Sequence, residues 1–500
     1  MSIKSLFHAV VVVAGFSVVT RLMGFLFRIY LSRELGAELL GVYQSAFAIF
    51  SVLLVMISSG LPLAVSKLVS AHGGDKRQEY RVVSVALILG ILTALTLGGI
   101  VLLCRQWLGF LFTDERCVLI LITLLPALVS SAIYSVLRGD FWGERDYYTV
   151  GWTELVEQVL RILFFVILIN TGFYALDGAG IAGVSMSIAC VLSAVLVLFV
   201  YFKKGKRLYA PKGEFRPVLR SAVPVTGIRA VSSLIHPLIA VIFPLLLVSV
   251  GYTQSQAMES YGIAMGMTFP LLFVPSTVVG ALSFTLIPEL SSALSGRKIE
   301  LVAKRVQTSC IVAVFVSAMF IPMYVGGGEL IGKVLYNNVT SGIYLARASW
   351  IMIPLSLSNI TSSVLNAFNL ETKSFVNNII GGIALLICVV CFSGSIGVDA
   401  LIWGFGLCMI LTTIINIYTI KKHTKLSFGI TKSILYMLAL TIPCTLLVMW
   451  SEPMLLRVVP DWLGMCVLSA LSIGGYVLCC WGARLVDVTS VFIKLKRQNK

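Results

Sequence analysis

The chain has 500 residues, of which 58% are hydrophobic and 12% are charged, and its mean hydropathy is +0.98. Soluble domains carry about 25% charged residues, so a soluble enzyme, a secreted disulfide scaffold and a nucleic-acid-binding domain are all excluded. The excess of 38 Lys and Arg over 22 Asp and Glu, a formal charge of +16, therefore reads as a topology signal rather than a nucleic-acid footprint. The apolar runs are long and continuous, which is the pattern of spanning helices and not of a barrel.

Taken in chain order, about 20 apolar residues being one crossing, the sequence gives an all-α polytopic protein with about fourteen transmembrane helices. They lie near residues 6–32, 39–69, 82–104, 117–138, 151–171, 179–202, 218–250, 259–292, 305–325, 343–369, 374–393, 397–420, 433–450 and 462–486. The first reads as a retained span, because it runs on past Arg21 and Arg28 without a small-residue cleavage site. With the amino terminus in the cytoplasm, the inner loops and tails hold 27 Lys and Arg and the outer loops 6. That alternation supports fourteen spans with both termini cytoplasmic. The most basic connection, Lys203 to Arg220, is an orientation signal, with anionic lipid headgroups as a second reading.

The sequence repeats itself. Pro126 to Leu137 reads PALVSSAIYSVL and Pro354 to Leu365 reads PLSLSNITSSVL, 228 residues on. Leu61-Pro62 and Ile287-Pro288 end spans two and eight at a similar shift. Two six-helix lobes related by pseudo-twofold symmetry are expected, since copies of an even number of spans share one orientation. The domains are then an N-lobe at 1–202, a basic cytoplasmic linker at 203–217, a C-lobe at 218–420, and two more spans with a basic tail at 421–500. Span seven, with Pro224, Pro237 and Pro244, is the foremost candidate for a bending helix.

Ionisable groups deep in a bilayer face a cavity or a partner. Here they are Arg21, Arg28, Glu157, Arg161, Arg229 and His236. Arg21 and Arg28 are seven residues apart, so they share a helix face about 10 Å apart along the axis. Arg229 and His236 repeat the spacing. Glu154, Glu157 and Arg161 form a stripe in which Arg161 is placed to pair with Glu157. Guanidinium groups suit phosphate oxygens, so these six residues are the candidate substrate-binding set. Each arginine can equally pin its helix to a neighbour. His236 can equally cap backbone broken at Pro237. Most of the 11 Cys sit in apolar runs and read as small core residues. Cys104 and Cys117 flank one loop without making a disulfide framework. No catalytic, cofactor or metal motif is read.

Thr20-Arg21-Leu22-Met23-Gly24-Phe25, Gly60-Leu61-Pro62-Leu63-Ala64-Val65-Ser66-Lys67, Tyr134-Ser135-Val136-Leu137-Arg138-Gly139 and Glu157-Gln158-Val159-Leu160-Arg161 resemble the MOP (multidrug/oligosaccharidyl-lipid/polysaccharide) exporters. Within them they are similar to the stage V sporulation protein B group, close to the MurJ-type lipid II flippases. The resemblance implies two lobes around a cationic cavity and transport of an undecaprenyl-pyrophosphate-linked saccharide, such as lipid II, for spore cortex or cell wall. It implies a bacterial cytoplasmic membrane, membrane lipids around the protein, and peptidoglycan synthases as candidate partners. Arg21 matches an essential cavity arginine of the flippases, and Arg28 lies one residue from their second. Their span-two arginine falls here on Leu53-Leu54. A multidrug/cation antiporter and a non-transporting scaffold for cell-wall synthesis are the alternatives.

Overall fold

A computed structural model describes residues 3–72, 74–171, 176–211, 213–296, 299–424 and 432–483. Among them there are helices and no strands. The helices are α1 (Ile3–Ser58), α2 (Gly60–Ala71), α3 (Lys76–Leu103), α4 (Arg105–Leu111), α5 (Arg116–Gly143), α6 (Tyr147–Asn170), α7 (Gly178–Lys203), α8 (Phe215–Ser233), α9 (Ile235–Ser249) and α10 (Gln254–Tyr261). A π-helical turn, Gly262–Thr268, leads into α11 (Phe269–Leu272) and α12 (Val274–Ser295). There follow α13 (Ile299–Ala318), α14 (Ile321–Gly326), α15 (Gly328–Tyr336), α16 (Val339–Ala348), α17 (Met352–Ala367), α18 (Glu371–Ile396), α19 (Asp399–Thr424), α20 (Lys432–Leu455) and α21 (Asp461–Gly482).

Each apolar segment read from the sequence falls on helix within its described residues. The starts carry chemical stops. Asp75, Asp146 and Asp177 accept backbone N–H groups at the heads of α3, α6 and α7, donors that have no partner inside a helix.

Eleven helical segments are long and apolar enough to cross a bilayer, or up to twelve when Gln254–Leu272 and Val274–Ser283 count as one broken span. Fourteen are expected from the sequence. The difference sits in two places. Gly15–Ala71 enters that count once although it has 57 residues, about 85 Å of helix against a hydrocarbon core of about 30 Å. Gly36 breaks it, at φ 70° and ψ 177°. The other place is α6, which carries Glu154, Glu157 and Arg161 and does not enter the count.

Span seven is broken as its proline pattern suggests. Pro237 has no N–H and crowds the carbonyl four residues earlier, and α8 ends at that residue, Ser233. Pro224 and Pro244 stay inside helices. The larger bend is elsewhere. It is 46°, at Phe273, just before Pro275 in α12. Proline content alone did not rank the two.

The helices form two compact units, 1–262 and 263–500. In the first, α5 is central and packs against α2, α3 and α7. Its glycines make room: a Cβ on Gly139 would lie 2.6 Å from the Pro62 carbonyl, and one on Gly143 would lie 2.9 Å from Val69. The core here is Val65, Val82, Val83, Val136, Leu137, Phe141 and Tyr201. Helices α8, α9 and α10 belong to this unit through α1 and α2, so the boundary by contact falls at 262 rather than in the basic linker. The close crossing of α8 over Gly60 accounts for it, since a Cβ there would lie 2.3 Å from the Ala222 carbonyl.

The second unit repeats the packing. Its central helix is α17, against α12, α13 and α19. The pair α18–α19 corresponds to α6–α7 in the first unit. Asn416, fully buried, joins three helices by hydrogen bonds: it donates to Thr361 at 3.1 Å and Ser362 at 3.0 Å, and accepts from Asn377 at 2.9 Å. Helix α21 is tied to α20 by the Tyr476 hydroxyl, which donates to the Met437 carbonyl at 3.1 Å.

Candidate functional site

The candidate residues all lie in the first unit. Helix α1 before Gly36 packs along α6 by aromatic and small residues. Phe27 and Tyr30 meet Phe165 edge-on, with centroids at 5.5 and 5.9 Å. Phe16 sits over Gly151 and meets Tyr148 at 5.7 Å. A Cβ on Gly24 would lie 3.6 Å from the Gln158 amide. This interface brings the Arg21–Arg28 segment beside the charged stripe of α6.

Within the stripe, Arg161 donates to Glu157 at 2.8 Å, the expected partner one turn away. Glu154 takes a different partner, accepting from Arg138 of α5 at 2.7 Å. Each of the two carboxylates is thus matched to one guanidinium. Arg161 also lies beside Cys190 of α7. Both Arg161 and Arg28 act electrostatically on the hydroxyl of Tyr43, which is buried and reaches Met186 at 3.9 Å. The Nε–H of Arg161 is buried with no acceptor among the described residues. Arg28, Tyr43, Glu157, Arg161 and Cys190 therefore form one cluster drawn from α1, α6 and α7.

Arg21 and Arg229 are exposed, and among the described residues neither forms an ion pair. Arg229 lies one turn before the end of α8, and His236 is on the first turn of α9. Both helices pack on α1, but among the described residues no ion pair joins Arg229 to the cluster. The set read from the sequence is thus gathered in part. Tyr43 and Cys190 are additions. Neither carries a charge, and in sequence both look like ordinary members of apolar helices.

The cluster has more cationic than anionic groups and one donor without an acceptor. A surplus of guanidinium over carboxylate groups attracts an anion and disfavours a cation. Thiols are free throughout. Cys104 is exposed, and Cys117 is buried with its thiol directed at the Val42 carbonyl.

The fold, the repeat and the buried charges together define a multi-pass helical membrane protein. The chain belongs to the family described as Polysaccharide biosynthesis protein, which it matches over residues 7–294. It is 26% identical over 441 residues to the stage V sporulation protein B of Bacillus subtilis, covering 84% of each chain. It is 22% identical over 470 residues to the lipid II flippase MurJ of the same organism, covering 86% of this chain and 85% of that one. Among solved structures, the inward closed conformation of lipid II flippase MurJ superposes with a TM-score of 0.73 at 12% identity, over 95% of this chain and 100% of that one. An inward-facing multidrug resistance MATE transporter of the MOP superfamily superposes with a TM-score of 0.65 at 16% identity, over 81% of this chain and 94% of that one. These two likenesses are of fold.

Proposed function

We propose that this protein is a flippase for an undecaprenyl-pyrophosphate-linked saccharide, lipid II or a related peptidoglycan precursor, moved from the inner to the outer leaflet for spore cortex or cell wall. The observation that carries the reading is full-length similarity to MurJ in both sequence and fold, joined to the surplus of arginine on α1, α6 and α8. The bacterial plasma membrane, fourteen crossings and cytoplasmic termini belong to the same proposal.

In this mechanism Arg21, Arg28 and Arg229 hold the pyrophosphate, with His236 at the same cavity. Glu157 holds Arg161 in place, so that Arg161 contributes its Nε–H while its charge is partly offset. The lipid tail stays in the bilayer and two six-helix lobes rock to expose the sugar outside. Moving about two negative charges outward across 100 mV, inside negative, releases roughly 4–5 kcal/mol when they cross the full field uncompensated.

The test is lipid II exposure on the outer face of cells depleted of their other flippases. The unaltered protein restores exposure and Arg21→Ala, inserted at equal level, does not. Full exposure with Arg21→Ala overturns the role of that arginine. No exposure with either overturns lipid II as the substrate. The second reading is a multidrug/cation antiporter, favoured by the superposition on the MATE fold. Transport of cationic dyes driven by an ion gradient would select it.

A further inference from the structure

A groove opens on the outside of the first unit, at the basic end of α3 and α7. Ile88 and Ile91 of α3, Ile133 of α5 and Leu198 of α7 line it, and Leu208 and Pro211 of the segment after α7 close one side. Its volume is about 410 Å³, inside the roughly 300–1,000 Å³ of small-molecule sites. The helices around it expose Leu92, Leu95, Val195 and Phe199, an apolar surface suited to hydrocarbon. None of the lining residues belongs to α1 or α6, which carry the arginine cluster.

The closing segment is held in place. Lys206, 5% exposed, is salt-bridged to Asp140, 1% exposed, and to Glu144 at 2.5 Å. Its ammonium also lies over the Phe141 ring, 4.7 Å from the centroid. Lys204 pairs with Asp146. Beyond them, the Tyr209 N–H donates to the Ser84 hydroxyl at 3.1 Å, and the Tyr209 ring stacks on Tyr80 at 5.9 Å and 11°.

The charges at this end divide into two kinds. Lys76, Lys204 and Lys206 all have carboxylate partners. Arg81 and Arg207 have none among the described residues. Arg81 lies three, seven and ten residues before Ser84, Ile88 and Ile91, so it continues their helix face by one turn toward the basic end. Arg207 adjoins Leu208. The groove thus has, one turn before Ser84 on α3 and one residue before Leu208, two arginines without a carboxylate partner among the described residues.

We infer that this groove holds an acyl chain of an anionic phospholipid whose phosphate sits on Arg81 and Arg207. A basic residue near the membrane surface favours an anionic lipid by about 1 kcal/mol, and charge complementarity is what separates such a lipid from a zwitterionic one of the same chain length. The bound lipid and the linker share one wall, so occupancy and linker position are coupled.

Native mass spectrometry of the full-length protein in nonionic detergent tests this, with phosphatidylglycerol and phosphatidylcholine of identical chains as probes. The first phosphatidylglycerol adduct should form on the order of tenfold more tightly, the effect of one to two arginines. Arg81→Gln with Arg207→Gln should abolish the preference. Ile91→Trp, or Ile133→Phe should the first variant not fold, should remove the first adduct of both lipids. Arg105→Gln, at the start of α4 and beyond the far end of α3, should change nothing. Equal retention of the two lipids by the unaltered protein, or a preference that survives the double substitution, would overturn the inference.

Discussion

Gly41 and Gly262 meet where the helix after Gly36 crosses the end of α10. A Cβ on Gly41 would lie 2.0 Å from the Met258 carbonyl oxygen, and one on Gly262 would lie 2.0 Å from that of Ala37. Backbone on backbone leaves nothing to repack, and small residues are how membrane helices approach so closely. Gly41→Val should therefore lower the thermal unfolding midpoint of the detergent-solubilised protein, with a destabilisation beyond the roughly 1–3 kcal/mol of ordinary core overpacking. A midpoint equal to that of the unaltered protein would show that the crossing is slack. At this scale the sequence was legible where charge sits in apolar surroundings. The Glu157–Arg161 pair follows from an i,i+4 spacing. Tyr43 and Cys190 were not legible, because their place beside Arg161 comes from three helices meeting and not from any local pattern.

At the level of elements, the segment after α7 differs most from its reading. A run of seven basic residues from Lys203 to Arg220 reads as an orientation signal in a basic cytoplasmic linker, yet Lys206 is buried against α5. The cause is Asp140 and Glu144 at the end of that helix, which supply the counter-charges that burial demands. Burial raises the pKa of the Glu144 carboxyl, but hydrogen bonds from Lys206 and Lys76 outweigh it and hold it below the ordinary 4.5. Asp146 is likewise pushed up by burial and brought below its ordinary 3.8 by Lys204 and Thr149. Carboxyls depressed in the fold stabilise it above their unfolded pKa, and that contribution disappears as pH falls through the folded values. Deuterium uptake over residues 203–211, corrected for intrinsic exchange, should be flat between about pH 6 and 8 and rise below about pH 4. A profile without that rise would mean the carboxylates do not hold the linker. The helices themselves were plain in the sequence, since apolar length marks each of them. The 46° bend at Phe273 was less so, because three prolines in span seven outweighed Pro270 and Pro275 in the count.

Across the whole molecule, the repeat seen in PALVSSAIYSVL and PLSLSNITSSVL is a repeat of packing. Helices α5 and α17 carry these segments and each is the centre of its own unit. The matching residues are a proline, exposed at 126 and half-buried at 354, and the small hydroxyls and Val-Leu step that a central helix needs, which are buried in both units. The contact boundary at 262 was not legible, because it depends on α8 finding Gly60, and nothing in a basic linker reports that. The orientation proposed above has its own test. A fluorescent protein fused after residue 500 should fold and fluoresce, and alkaline phosphatase fused after Leu111 should be active. The reverse pair of results would invert the topology.

The break at Gly36 carries a stereochemical consequence. Nothing lies within 4 Å of the position where an L side chain would begin, so crowding is not what keeps that position bare. The exclusion comes from handedness: φ 70° with ψ 177° is territory essentially closed to every L residue, including asparagine, which tolerates only the left-handed helical region. Alanine, the smallest replacement, would be refused for its chirality rather than its bulk. A D-alanine introduced by chemical ligation has the mirror-image preference and matches these angles. The passage from the first helical segment to the second therefore depends on one achiral centre.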